Sequence, residues 1–280
     1  MLHIVTDGAA DLPPTWEQEY NIHVVPINIQ FGEKTYLQFV DMGFEAFYRA
    51  IKETRTIPKT SQPTPHQFSE FYKKIAKPGD TILSIHVTSK LSGTYTSAVA
   101  AAEELKDKFH IVVFDSLSGS MVLGFMCKFA REMDKAGKNV DEILNYLQSV
   151  RDSSRIFLTL DKLDFARMSG RVGTLSAALA SLLNVKPIAI LKDGLLNMTD
   201  KVRTRKAAIE RVIDLAKQEF GDKQVHLAVV HARDLPSGQA LLDKAKKTFN
   251  IKSSEITELS VALAVQFGPG TVGLVLYPAT

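Results

Sequence analysis

TILSIHVTSKLSGTYTSAVAAAEELKDKFHIVVFD spans residues 81 to 115. An apolar run over 81–87 reads as a strand. A helical pattern follows near 94–109, and a second strand reads over 110–115. Two strands joined by a helix make a βαβ unit, and βαβ units build parallel sheets. The polar stretch between strand and helix, SKLSGTYTSA (89–98), carries six hydroxyl side chains, one glycine and a single charge. In parallel sheets ligands sit beyond the carboxyl ends of the strands.

The same alternation extends outward. LHIVT (2–6) and IHVVPINIQF (22–31) read as strands, and helical patterns lie near 43–53, 65–77 and 120–136. NVDEILNYLQSVRDSSR reads as a helix followed by a polar break, which predicts a domain boundary near residue 155. The expected domains are 1–155 and 156–280. In the second, RIFLTL precedes a helical DKLDFARM and the turn SGRVG, and a helical TLSAALASLLN follows. VKPIAIL, QVHLAVVHA and runs near 255–260 and 271–277 read as strands. Helices are expected over 204–219 and 236–248, and Asp193-Gly194 signals a hairpin. The fold class is therefore α/β, with two α/β lobes and a mainly parallel sheet in the first.

Composition excludes several classes. The 280 residues carry 34 basic and 31 acidic side chains, a net charge of +3, so no electrostatic case exists for a nucleic-acid or membrane-surface partner. The lone Cys127 forms no internal disulfide and fits a reducing compartment. MLHIVTDGAAD lacks the basic and long apolar regions of a signal peptide, and no run reaches membrane-spanning length, so a cytoplasmic location is expected.

Chemistry-bearing motifs are few. The 88–97 loop lacks the G-x-x-x-x-G-K-[ST] spacing and the lysine of a P-loop. FGPGTVG (267–273) matches G-x-G-x-x-G formally, but a strand follows it where a dinucleotide site needs a helix. There is no G-x-S-x-G and no H-E-x-x-H, and the histidines stand at no zinc-ligand spacing. No catalytic residue, metal or cofactor is therefore expected. His86 and His231 read as packed core or rim residues, and Asp7, Asp11 and Asp115 as acid–base groups or, more cheaply, as strand-end capping or turn residues. Neutral hydroxyls with the first N–H groups of a helix suit one carboxylate or one phosphate. Ser92 and Thr94 also fit a plain N-cap. PKTSQPTP (58–65) is a second hydroxyl cluster, stiffened by proline. SGRVG places Arg171 between glycines, where it can pair an anion or stand as a surface arginine. KVRTRK (201–206) reads as a solvated helix start, or as a dock for an acidic partner or a phosphate contact.

Taken together, VTDGAADLP, PKTSQPTP, SKLSGTYTSA, VFDS, SGRVG, KVRTRK and FGPGTVG occur in the order of the DegV family of fatty-acid-binding proteins, and nearly the whole chain (2–279) resembles one DegV unit. The resemblance implies a long-chain fatty acid, such as palmitate, enclosed between the two lobes. Thr60 and Ser92 match the positions that hold its carboxylate, with Ser61, Gly93, Thr94, Arg171 and Gln266 in support. It also implies an ATP-binding kinase subunit as a partner in relatives that form acyl phosphate, with Arg203 at a position linked to that contact. Two departures stand out. Asp7-Gly8 replaces a frequent Asp-Ser, and Gln266 replaces a frequent histidine before the Gly-Pro-Gly turn. Glutamine can hydrogen-bond a carboxylate but cannot carry a proton as imidazole can. A stand-alone hydrolase or phosphotransferase, and a lipid-sensing regulatory module, are the competing expectations.

Overall fold

A computed structural model describes residues 1–161, 163–171 and 185–279. The chain divides into two compact units, Met1–Arg151 and Asp152–Thr280.

The first unit is built on a four-stranded sheet of β1 (Leu2–Asp7), β2 (Ile22–Val25), β6 (Thr81–His86) and β7 (His110–Asp115), in the order β2-β1-β6-β7. Every pairing in it is parallel. Alternation along the strands decides the packing. Val5 and Ile82 face one side, where they join Phe68 and Tyr72 of α3 (Pro65–Ile75) and Ala98 and Ala101 of α4 (Thr94–Glu104). Ile4, Leu83 and Ile85 project from the other face and are wholly buried. The long helix α5 (Ser120–Lys135) packs on β1 and β6. Short α1 (Trp16–Glu19), α2 (Phe44–Thr54) and α6 (Val140–Ser153) complete the helices of this part.

The expected single strand over 22–31 is two strands in two sheets. Pro26 follows β2, has no N–H to donate and interrupts the ladder. The chain then turns into β3 (Asn28–Phe31), which forms a separate antiparallel sheet with β4 (Lys34–Leu37) and β5 (Lys59–Ser61). Ile29 of β3 stands opposite Thr60 of β5. The proline-rich hydroxyl stretch is thus partly a strand, and Thr64 in it caps α3 with Gln67 in a reciprocal capping box.

The second unit holds one six-stranded mixed sheet, ordered β10-β9-β8-β13-β11-β12. Its strands are β8 (Arg155–Thr159), β9 (Lys186–Lys192), β10 (Leu195–Val202), β11 (Gln224–His231), β12 (Asn250–Glu258) and β13 (Val272–Pro278). β9 and β10 are the hairpin expected at Asp193-Gly194. Helix α7 (Leu163–Ser169) follows β8. The helices α8 (Arg205–Phe220) and α9 (Leu235–Thr248) bury Val212, Ala216, Leu241 and Ala245 against Leu227, Val229 and Leu274. A further helix, α10 (Val261–Phe267), stands in the interval between the strands expected near 255–260 and 271–277, where sequence reading assigned no element. Ser260 caps it by accepting from the Leu263 N–H. The expected helix TLSAALASLLN lies outside the described residues. Among the described residues no helix is long and apolar enough to cross a membrane.

Cys127 sits on α5, wholly buried. Burial pushes its thiol up to about 12, and the charge of Asp7 pushes the same way. The thiolate is the reactive form. Cys127 should therefore resist a thiol reagent such as DTNB at pH 8 in the native protein and react at once in denaturant. Rapid native labelling would contradict this packing.

Candidate functional site

The candidate site grows out of sheet order. In β2-β1-β6-β7 the strand after β1 lies on one side, and the strand after β6 lies on the other. Loops leaving β1 and β6 therefore part, and the crevice between two such strand ends is where open α/β sheets bind ligands.

Asp7 ends β1 inside this crevice, fully buried. Its Oδ1 accepts from the Ala9 N–H at 2.9 Å, and its Oδ2 accepts from the Val87 N–H at 2.9 Å. Oδ2 also meets His86 Nδ1 at 3.0 Å. One carboxylate thus fastens the loop after β1 to the loop after β6. That second loop is held again further on. The Thr88 N–H donates to the Ser118 carbonyl, and the Ser89 N–H donates to Asp115 Oδ1. The Thr88 carbonyl accepts from the N–H groups of Leu91 and Ser92.

The loop delivers its hydroxyls to the start of α4. Ser92 Oγ lies 2.8 Å from Thr94 Oγ1 and accepts weakly from the Thr94 N–H at 3.3 Å. The N-cap position itself is Gly93, and no side-chain cap bonds this helix end. By contrast Thr64, Thr204, Asp234 and Ser260 cap α3, α8, α9 and α10. The plain-cap reading of Ser92 is therefore only partly met: the Thr94 N–H donates weakly to Ser92, and the next N–H groups of α4 keep their capacity to donate.

Thr60 and Ser61 lie on β5, half-buried. The next residue, Gln62, reaches the hydroxyl loop. A Cβ added to Gly93 would stand 2.8 Å from Gln62 Nε2. Asn28 Nδ2 donates to the Gln62 carbonyl and ties this turn to β3. The two hydroxyl segments, 60–61 and 92–94, are therefore neighbours through Gln62 and Gly93, with Asn28 and Gln67 behind them.

The remaining sequence candidates belong to the second unit. Arg171 is exposed and donates to the Ser169 carbonyl at 2.7 Å. Arg203 is exposed between β10 and α8. Gln266 is buried on α10, just before the turn at Gly268 and Gly270, both in the left-handed region. Arg205, which sequence reading did not single out, binds Asp234 Oδ2 at 2.7 Å and the Gly270 carbonyl at 2.5 Å. Among the described residues no group of three or more His, Cys, Asp or Glu is placed to hold a metal ion.

Sequence reading also passed over Gln38 and the partners of His86. Gln38 Nε2 donates to the Gly8 carbonyl at 2.9 Å, and Gln38 is buried. Its Oε1 would stand 2.2 Å from a Cβ at position 8. Gly8 is needed here for space and not for an unusual φ. Backbone strain gathers at the same edge: Asp11, Phe39, Leu117 and Ser120 all have positive φ without being glycine. Asp11 and Ser120 brace each other, with the hydroxyl donating to Asp11 Oδ2 at 2.5 Å.

A family model described as an uncharacterised protein of the DegV family matches residues 1–279. The chain belongs to the DegV family. A DegV domain-containing protein of Listeria monocytogenes is 31% identical over 273 residues, covering 97% of this chain and 96% of its own. Among solved structures, a Thermotoga maritima protein described as revealing a fatty-acid-binding function superposes with a TM-score of 0.88 at 26% identity, covering 99% of each chain. DegV of Bacillus subtilis, described as a fatty-acid-binding protein, gives 0.86 at 27% identity over 99% of each chain. A stearic-acid-binding protein of Eubacterium ventriosum gives 0.91 at 25% identity, covering 99% of this chain and 98% of its own.

The Gly8–Gln38 packing is open to test. Gly8→Ala should displace the Gln38 amide and destabilise the fold by about 1–3 kcal/mol. In a Gln38→Ala background the same change should cost far less. A urea double-mutant cycle with additive effects would show that the two residues do not share this space.

Proposed function

We propose that this DegV protein binds one long-chain fatty acid and that Thr60 and Ser92 hold its carboxylate. Ser61, Gly93 and Thr94 stand beside that pair, and Arg171 and Gln266 are further candidates in the second unit. The observation that carries the reading is the start of α4, where the N-cap Gly93 offers no side chain, the Ser92 and Thr94 hydroxyls meet, and Gly93 lies against Gln62 just after β5. The fatty-acid-binding descriptions of the solved relatives support it.

The energetics suit a divided task. Burying about 14 methylenes contributes on the order of 11 kcal/mol at about 0.8 kcal/mol each. Losing translation and ordering the chain offset several of these. A buried carboxylate without partners would cost more again. Hydroxyls, helix N–H groups and one arginine answer that demand. The tail supplies affinity, and the oxygen donors supply orientation.

The protein acts as a carrier in this reading and presents the acid for phosphorylation by a separate ATP-binding kinase subunit. Arg203, exposed beside α8, is the candidate contact for that partner. Native mass spectrometry of protein from cells should show a bound acyl acid. Ser92→Ala should weaken palmitate binding by about 1–3 kcal/mol in calorimetry. Empty protein that ignores added palmitate would sink the reading, and an unchanged Ser92→Ala affinity would move the head group elsewhere.

A further inference from the structure

Behind the loop runs a line of wholly buried polar groups. Tyr72 Oη lies 2.8 Å from Ser84 Oγ, and Ser84 Oγ lies 2.7 Å from His86 Nε2. His86 Nδ1 lies 3.0 Å from Asp7 Oδ2. All four residues have zero exposure. Ser84 and His86 share one face of β6 because they are two residues apart. Tyr72 reaches them from α3, and Phe68 meets the imidazole edge-on at 5.1 Å.

Counting protons orders the line. Asp7 already accepts from two backbone N–H groups, and its Oδ2 is an acceptor for His86 Nδ1–H. His86 Nε2 then accepts from the Ser84 hydroxyl. Ser84 has one proton, so the Tyr72 hydroxyl must donate to it. Burial holds the Tyr72 phenol well above its ordinary range, which keeps that donor protonated. The reverse order would leave the Tyr72 proton buried without an acceptor. A Ser, a His and an Asp in sequence evoke a hydrolase triad, but the Ser84 hydroxyl is sealed in the core beneath Tyr72.

We propose that Tyr72, Ser84 and His86 are positioning residues, which set Asp7 so that the hydroxyl loop meets the ligand head group in one geometry. The route is continuous. Asp7 holds the Val87 N–H, and Thr88 is pinned to Ser118. The Thr88 carbonyl takes the Ser92 N–H, and Ser92 meets Thr94. The proposal rests on the fatty-acid reading above and adds residues that never touch the ligand.

The test uses the full chain with palmitate as probe. Nitrogen-15 histidine spectra should show His86 protonated at Nδ1 and bare at Nε2, and its signals should shift when palmitate binds. A proton on Nε2, or a His86 signal unmoved by bound palmitate, overturns the proposal. Ser84→Ala should weaken palmitate binding by roughly fivefold to tenfold, the worth of one hydrogen bond. Ser84→Thr, which keeps the hydroxyl, should restore it to within about twofold, and this rescue separates proton order from packing. Equal binding by Ser84→Ala and wild type overturns the positioning role while leaving the carrier function intact. Wild type that binds no acyl acid overturns both. Should Ser84→Ala fail to fold, the wild-type His86 spectrum with and without palmitate decides the matter alone.

Discussion

The carboxylate of Asp7 has no water to turn to. A buried charge or polar group without partners costs several kcal/mol, so the chain must bring donors to it. It brings two backbone N–H groups from two different loops and one imidazole. The same bonds that meet the need of Asp7 fix the relation of β1 to β6 at their carboxyl ends. Everything beyond those ends inherits the constraint: the turn at Thr88, the strained residues Leu117 and Ser120, and the hydroxyl pair that opens α4.

The small antiparallel sheet extends that edge. Pro26 stops β2, and the released chain runs through β3 and β4 before returning as β5. Its return delivers Thr60 and Gln62. The loop between β4 and α2 delivers Gln38 to Gly8. A glycine stands at each contact, Gly8 for Gln38 and Gly93 for Gln62. A side chain at either place would turn the glutamine amide away from it.

Much of this was legible in the sequence. The run 81–115 is strand, loop, helix and strand as its pattern demands, because each apolar stretch is long enough to bury a face by itself. The α4 pattern runs to 109, but the helix stops at Glu104, since Leu105 and Phe109 turn into the core before β7 begins. β5 and α10 were not legible. Lys59–Ser61 is too short for periodicity, and Val261–Phe267 is apolar except for Gln266, so its pattern gives no helical face and only the cap at Ser260 marks its start. His86 was read as a packed residue, which its burial supports, but its bonds were invisible. The spacing of Ser84 and His86 put them on one face of β6, and nothing local shows that Tyr72 and Asp7 flank that face.

That the proposed head-group site in the 88–97 loop uses no lysine has a physical logic. Lys90 is exposed, and the groups turned toward the start of α4 are hydroxyls and backbone donors. A buried ammonium opposite a carboxylate binds tightly but demands full desolvation of two charges, and it leaves a lone charge once the ligand departs. Hydroxyls that already bond each other, as Ser92 and Thr94 do, remain satisfied when empty and can turn to a carboxylate when it arrives. In the proposed carrier role the protein must release its cargo as well as hold it. A site whose polar cost is small in both states, with affinity drawn from the apolar tail, meets both demands, and the fixed backbone behind Asp7 keeps those few donors aimed.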